Sequence, residues 1–116
     1  MTTVPDFDDM SNLADKIREL TAKKMLLDIQ IKAREAEITQ VMCSDQSYFQ
    51  NGKPPSMALI ESTLQYSGIN GELLPMRKEL ALTISALEEA KLRFDIYRMQ
   101  LDLYRTEAAN QRLTSI

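Results

Sequence analysis

The sequence predicts an all-α fold: an elongated antiparallel helical hairpin, coiled-coil-like, with a short helix between two long helices. Apolar residues recur at alternating spacings of three and four, which place side chains along one side of a helix. Residues 95–101 and 102–108 read DIYRMQL and DLYRTEA, a seven-residue repeat typical of helices that pack along their length. The 116 residues hold only three glycines and four prolines, so we expect a single helical domain over 1–116.

The first long helix is predicted at about residues 7–44. Asp6 can cap its start, while Asp8 and Asp9 place negative charge at the positive end of the helix dipole. Its apolar seam is Met10, Leu13, Ile17, Leu20, Lys24, Leu27, Ile31, Arg34, Ile38 and Val41. A second stripe beside it is Ala22, Leu26, Ile29, Ala33 and Ala36. We expect Lys24 and Arg34 to lay their stems along the seam; they could instead face acids across the hairpin or line a pore.

The connection is predicted as a loop over residues 45–56 followed by a short helix over residues 57–66. Asn51-Gly52 favours a turn, and Pro54-Pro55 excludes helix. Ser56 can cap the short helix, and Ser67-Gly68 ends it. A connection of this length allows the two long helices to fold back on one another.

The second long helix is predicted at about residues 73–112. Its seam is Leu73, Met76, Leu80, Thr83, Leu87, Ala90, Phe94, Tyr97, Leu101, Tyr104, Ala108 and Gln111, with a second stripe of Leu92, Ile96, Met99 and Leu103. A two-helix hairpin cannot cover two stripes on both helices, so we expect a homo-oligomer. Its predicted interface is Leu20, Leu27, Ile31, Leu87, Phe94, Tyr97, Leu101 and Tyr104. The pattern suits a hairpin closed within one chain and one exchanged between chains equally.

Residue types that carry chemistry are scarce. Histidine is absent and Cys43 is the one cysteine, so neither a Cys–His nucleophile nor a zinc site of these residues can form. We expect no enzyme, no metal and no cofactor. The three aspartates near residue 8 could attract a cation, but a capped helix start explains them better. Cys43 is expected to be a small buried residue, and the seven methionines to fill the core rather than a groove.

A basic column recurs every seven residues on the second long helix: Lys91, Arg98, Arg105 and Arg112. Tyr97 and Tyr104 lie beside it, and cations next to aromatic rings can follow a single-stranded nucleic acid. Glu88, Asp95 and Asp102 each precede one of these cations by three residues, however, so intrahelical ion pairs are the competing interpretation. We favour the structural interpretation and keep these four cations as possible contacts to nucleic acid or a partner.

The succession of long helix, Gly/Pro loop, short helix and long helix resembles the UvsY-like phage recombination mediators. The similarity lies in residues 85–96, SALEEAKLRFDI, and more weakly in Ser56-Met57 at the start of the short helix. The resemblance implies a small helical protein that forms rings and helps to load a recombinase onto single-stranded DNA. Helical hairpins of secretion needles and of virion connector or scaffold proteins are similar to the same degree.

The predicted function is that of a non-enzymatic structural or adaptor protein that assembles with itself. A component of a phage or secretion machine is one form that such a protein could take. The first alternative is a mediator that binds single-stranded DNA, and the second is a small helical chaperone. The formal net charge of −3 gives no general attraction to nucleic acid or anionic lipid. We expect no membrane insertion and a location in the cytoplasm, or in the virion if the protein is viral.

Overall fold

The computed structural model describes residues 6–114, which form three α-helices and no strand: α1 (Phe7–Ser44), α2 (Met57–Gln65) and α3 (Leu73–Thr114). A 3₁₀ turn at Gln46–Tyr48 follows α1. The all-α class and the hairpin of two long helices that pack against each other are confirmed. The predicted helix boundaries agree with the structure to within two residues.

The helix starts form as their local sequences predict. The carboxylate of Asp6 accepts the backbone N–H groups of Asp8 at 2.9 Å and Asp9 at 3.3 Å. The Ser56 hydroxyl accepts the N–H of Leu59 at 3.2 Å at the start of α2. Each cap satisfies backbone donors that have no partner inside their own helix.

The connection contains a tight turn at the predicted Asn-Gly pair. Gln50 and Lys53 exchange two backbone hydrogen bonds, each of 3.0 Å. Asn51 and Gly52 both have positive φ, at 53° and 74°, which two-residue hairpin turns require.

The chain divides into two compact units. The first contains the beginning of α1, to Ala22, and α3 from Ile84 onward, and the second is Lys23–Thr83. Both long helices contribute residues to each unit.

The second unit holds a core in which three helices meet. Ile38, Met42, Ile60 and Leu73 are buried together, with Tyr48, Leu64, Ile69 and Met76 packed around them. Leu27 and Ile31 are buried nearer the start of α1. Thr83 on α3 is buried as well, and its hydroxyl donates to the Glu79 carbonyl at 2.8 Å. The short helix α2 supplies the third wall of this core.

The first unit contains a two-helix seam. Leu87 and Ala90 are its buried residues within the described part of the chain. Leu13, Ile17, Leu20, Phe94, Tyr97 and Leu101 are half-buried. Tyr104 and Gln111, predicted in the seam, are exposed instead. Since two helices alone enclose little volume, most seam residues of this unit keep one side accessible.

The end of the α1 seam corrects two predictions. Met42 is buried in place of the predicted Val41, and Cys43, expected to be buried, is exposed. A strict alternation of three and four residues is a 3.5-residue repeat, whereas an α-helix has 3.6 residues per turn. After several turns the buried position therefore moves one residue later along the chain.

Candidate interface surfaces

Seven of the eight residues predicted as the oligomer interface lie in the seams between the chain's own helices. Leu27, Ile31 and Leu87 are buried there, and Leu20, Phe94, Tyr97 and Leu101 are half-buried. Tyr104 is exposed. Because the seam is already used within the chain, the apolar surface available to another molecule lies elsewhere on the helices.

One such surface is the α1 outer stripe, which consists of Ala22, Leu26, Ile29, Ala33 and Ala36. Leu26 is 56% exposed and Ile29 is 62% exposed. Three alanines leave the helix backbone accessible, so a partner helix with large side chains could approach closely. The stripe was predicted as a second apolar face, and the structure leaves its large side chains uncovered.

The other surface is the α3 outer stripe, which consists of Leu92, Ile96, Met99 and Leu103. These side chains are 62%, 44%, 59% and 57% exposed. Their spacings of four, three and four residues match a coiled-coil seam on a side of α3 other than that of Phe94 and Tyr97. Large apolar residues at four successive positions of such a seam form a continuous apolar ridge, whereas isolated surface leucines do not.

The residues along one edge of each outer stripe carry opposite charges. On α3 that edge is Glu88, Asp95 and Asp102, whereas on α1 the equivalent edge is Arg18, Met25 and Lys32. All six side chains are exposed. Lys32 lies 3.3 Å from Asp28 and Asp95 lies 3.9 Å from Arg98, which are exposed ion pairs within single helices. Pairs of that kind are weak and leave the charges able to meet a partner.

The basic column is solvent-exposed, as a contact surface requires. Lys91 lies 3.9 Å from Glu88, and Arg98 lies at the same distance from Asp95, so two of the predicted intrahelical pairs are present at long range. Within residues 6–114 Arg105 has no ion pair to Asp102 shorter than 4.0 Å. The column therefore carries partly neutralised charge.

The tyrosines beside the basic column differ in accessibility. Tyr97 is half-buried, and its hydroxyl donates to the Asp9 carboxylate at 3.4 Å. Asp9, Lys16, Arg93 and Tyr97 also line an open groove of about 300 Å³ in the first unit. Tyr104 is 39% exposed. The ring of Tyr97 is thus held between helices, where it stabilises the seam and is poorly placed to stack on a base.

A polar cluster in the second unit connects all three helices. Arg34 donates to Glu37 at 2.7 Å and to Glu72 at 3.0 Å, and these two hydrogen bonds, in that order, raise the pKa of the Arg34 guanidinium. The backbone N–H of Glu72 itself, the Asn70 N–H and Arg34 hold the pKa of the Glu72 carboxyl below its usual value. Arg34 therefore faces an acid across the hairpin, while Lys24 is exposed.

Arg77 completes this cluster at the end of α2. Its guanidinium donates to the carbonyls of Leu64, Gln65 and Tyr66 and lies 3.6 Å from Glu35. Terminal helix carbonyls lack partners in their own helix, and a cation also complements the negative end of the dipole. Arg77 thus fixes the C-terminus of α2 against α1 and α3. Sequence reasoning missed this residue because nothing in its periodicity distinguishes it from a solvated arginine.

The part of the chain that the structure describes contains neither a candidate membrane-spanning helix nor a candidate metal-binding cluster. None of its helices combines the length and apolar character that a membrane span needs. Its acidic residues and cysteine do not come together in a group of three that could hold a metal ion.

Comparisons with known proteins give no relative. No family model matches the chain, and no curated protein or solved structure matches it. The resemblance to the recombination mediators therefore stays a prediction.

Proposed function

We propose that this chain is a non-enzymatic structural or adaptor subunit that assembles with copies of itself through coiled-coil-type helix packing. The observation that carries the proposal is the α3 outer stripe. Leu92, Ile96, Met99 and Leu103 place a helical seam of large apolar side chains in water. Covering this stripe would remove apolar area from water, which stabilises an assembly by about 25 cal/mol per Å² of area buried.

The regular spacing of the stripe supports a helix as its partner. Knobs-into-holes packing needs apolar residues at alternating intervals of three and four, and this stripe continues the interval for four positions. A second copy supplies exposed helices of the same kind, so self-association needs no further component. Within a phage or secretion machine, the same face would connect the subunit to its neighbours.

The test is the molar mass of the purified protein, measured by light scattering over a range of concentrations. We expect the wild type to exceed the 13.3 kDa of one chain, and Ile96→Asp to shift the protein toward one chain while its helical circular dichroism is unchanged. The matched control is Lys91→Asp. Lys91 is exposed on the same helix but lies outside the stripe, so this substitution should leave the mass unchanged. A wild type that stays at one chain would contradict the proposal.

The basic column supports a second candidate function, binding of single-stranded nucleic acid. Arg98 is exposed with its acid partner at 3.9 Å, and Arg105 is exposed as well. A phosphate backbone that displaces the acid from Arg98 and also binds Arg105 would give affinity that falls as salt rises. The Arg98→Ala and Arg105→Ala variant should then bind an oligonucleotide more weakly and with a smaller salt slope. Assembly through the outer stripe should be unaffected.

A further inference from the structure

We propose that the assembly is head-to-tail: the α1 outer stripe of one copy packs antiparallel on the α3 outer stripe of the next. This inference rests on the proposed self-association and names the two surfaces that meet. Each copy would present one surface of each type, so both exposed stripes are covered by a single kind of contact. A contact between two different surfaces closes into a ring or continues as a filament.

Side-chain size supports this pairing. The α1 outer stripe has alanine at three of its five positions, and the α3 outer stripe consists of large residues. The two end residues of the α3 stripe can therefore fit against alanines, where α1 is thin, while its two middle residues meet large side chains. One antiparallel register matches all positions of the α3 stripe. It sets Ala22 against Leu103, Leu26 against Met99, Ile29 against Ile96 and Ala33 against Leu92.

Charge supports the same register. In an antiparallel pair the equivalent edges of the two seams face each other, so the Lys32 edge of α1 meets the Asp95 edge of α3. Lys32 falls opposite Asp95, and Met25 falls opposite Asp102. On the other edge, Lys23 meets Gln100 and Gln30 meets Arg93. None of these contacts brings like charges together.

The symmetric alternatives are less favourable. Two α3 outer stripes packed antiparallel around Ile96 and Met99 would set Asp95 against Asp102 twice, which is repulsive. Two α1 outer stripes would meet without repulsion, but their contact would leave the α3 stripe in water. Only the contact between unlike stripes covers both surfaces with favourable edges.

Pairwise cross-linking tests the inference in the full chain. Cys43 is exposed and is first replaced by Ser, and Ile29→Cys and Ile96→Cys are then made separately in that background. The two variants are refolded together and treated with a short thiol-to-thiol cross-linker. We expect a cross-linked dimer in the mixture and none with either variant alone. The head-to-tail contact sets position 29 of one copy against position 96 of the next and never brings the same position of two copies together.

The control replaces Ile96→Cys with Leu113→Cys, which is also exposed on α3 but lies seventeen residues further along. This mixture should give no cross-link. A dimer formed by Ile96→Cys alone would overturn the head-to-tail contact while leaving self-association intact. A wild type that remains a single chain in light scattering would instead overturn the proposed function itself.

A charge exchange tests the register without cysteines. Lys32→Glu and Asp95→Lys should each weaken association by roughly twofold to fivefold, the range of an exposed ion pair. The double variant should recover the wild-type affinity, because the pair is restored in reverse. In the control double variant, Asp95→Lys is combined with Lys16→Glu, and the affinity of association should not recover. Recovery in that control, or none in the matched variant, would overturn the register.

Discussion

The two units of this chain are built from the same two helices but differ in how much they bury. In the second unit α2 adds a third wall, and Ile38, Met42, Ile60 and Leu73 form an enclosed cluster. In the described part of the first unit only Leu87 and Ala90 are buried, and the α3 outer stripe faces water. The short helix α2 therefore gives one region a core of its own, whereas the other region keeps most of its apolar surface exposed.

This difference assigns separate roles to the two regions. Local stability follows buried apolar contacts, so the second unit should open less often than the first in an isolated chain. Association through the α3 outer stripe would supply the burial that the first unit lacks. Folding and assembly are thus expected to be coupled mainly through the first unit.

The largest expected effect comes from removing a core side chain of the second unit. Leu73 is fully buried, and Leu73→Ala should cost about 2–5 kcal/mol through lost transfer free energy and the cavity left behind. Leu101→Ala in the first unit removes the same atoms from a half-buried position and should cost about 1–2 kcal/mol. Urea denaturation followed by circular dichroism gives both values. Equal costs would remove the distinction between the units.

A smaller effect is expected when α2 loses its C-terminal anchor. Arg77→Ala removes the donor to three terminal carbonyls and should lower stability by about 1–3 kcal/mol, since those hydrogen bonds involve a charged group. The adjacent Lys78→Ala, which removes none of these hydrogen bonds, should stay within about 0.5 kcal/mol of the wild type. Hydrogen exchange should show faster opening of α2 in the first variant. If both variants exchange alike, Arg77 is not the anchor.

Gly68 offers a finer probe of the same core. Its φ is +81°, and an added Cβ would lie 3.1 Å from Cδ1 of the buried Ile38. Gly68→Ala should therefore cost about 1–2 kcal/mol for the left-handed backbone, plus the displacement of Ile38. Gly71→Ala has a similar φ of +74° with nothing near its Cβ, and so measures the backbone cost alone. Thermal unfolding of the two variants should rank Gly68→Ala as the less stable, and the reverse order would contradict the packing described for this core.

The smallest expected effect is on the pH dependence of stability. The folded pKa of Glu72 lies below its ordinary value of 4.5, so the ionised carboxyl stabilises the fold above that pH. The contribution is lost as the pH falls below 4.5 through the lowered folded pKa. Glu72→Gln should thus flatten the acidic part of the stability profile, measured as urea midpoints from about pH 6 to about pH 3. A wild-type slope in Glu72→Gln would contradict the assignment.

The features predicted from the sequence are those with local causes. The caps at Asp6 and Ser56 and the turn at Asn51-Gly52 depend on residues within three positions of one another. The seams and both outer stripes follow from helical periodicity alone. Local signals of this kind are sufficient to predict the fold class and the helix boundaries.

The remaining features depend on how distant segments meet. Arg77 reaches carbonyls eleven to thirteen residues away, and Arg34 meets Glu72 across the hairpin. Met42 is buried in place of the predicted Val41 because the difference between 3.5 and 3.6 residues per turn accumulates over many turns. Most residues of the predicted interface are buried or half-buried within the chain itself, because periodicity reveals an apolar face without showing which face the chain covers.

We propose that another copy of this chain covers the α3 outer stripe. Light scattering of the wild type beside Ile96→Asp, at equal concentrations, tests it most directly. We expect a wild-type mass of several times 13.3 kDa and a lower mass for a folded Ile96→Asp variant. Two folded proteins that both remain at the mass of one chain would contradict it.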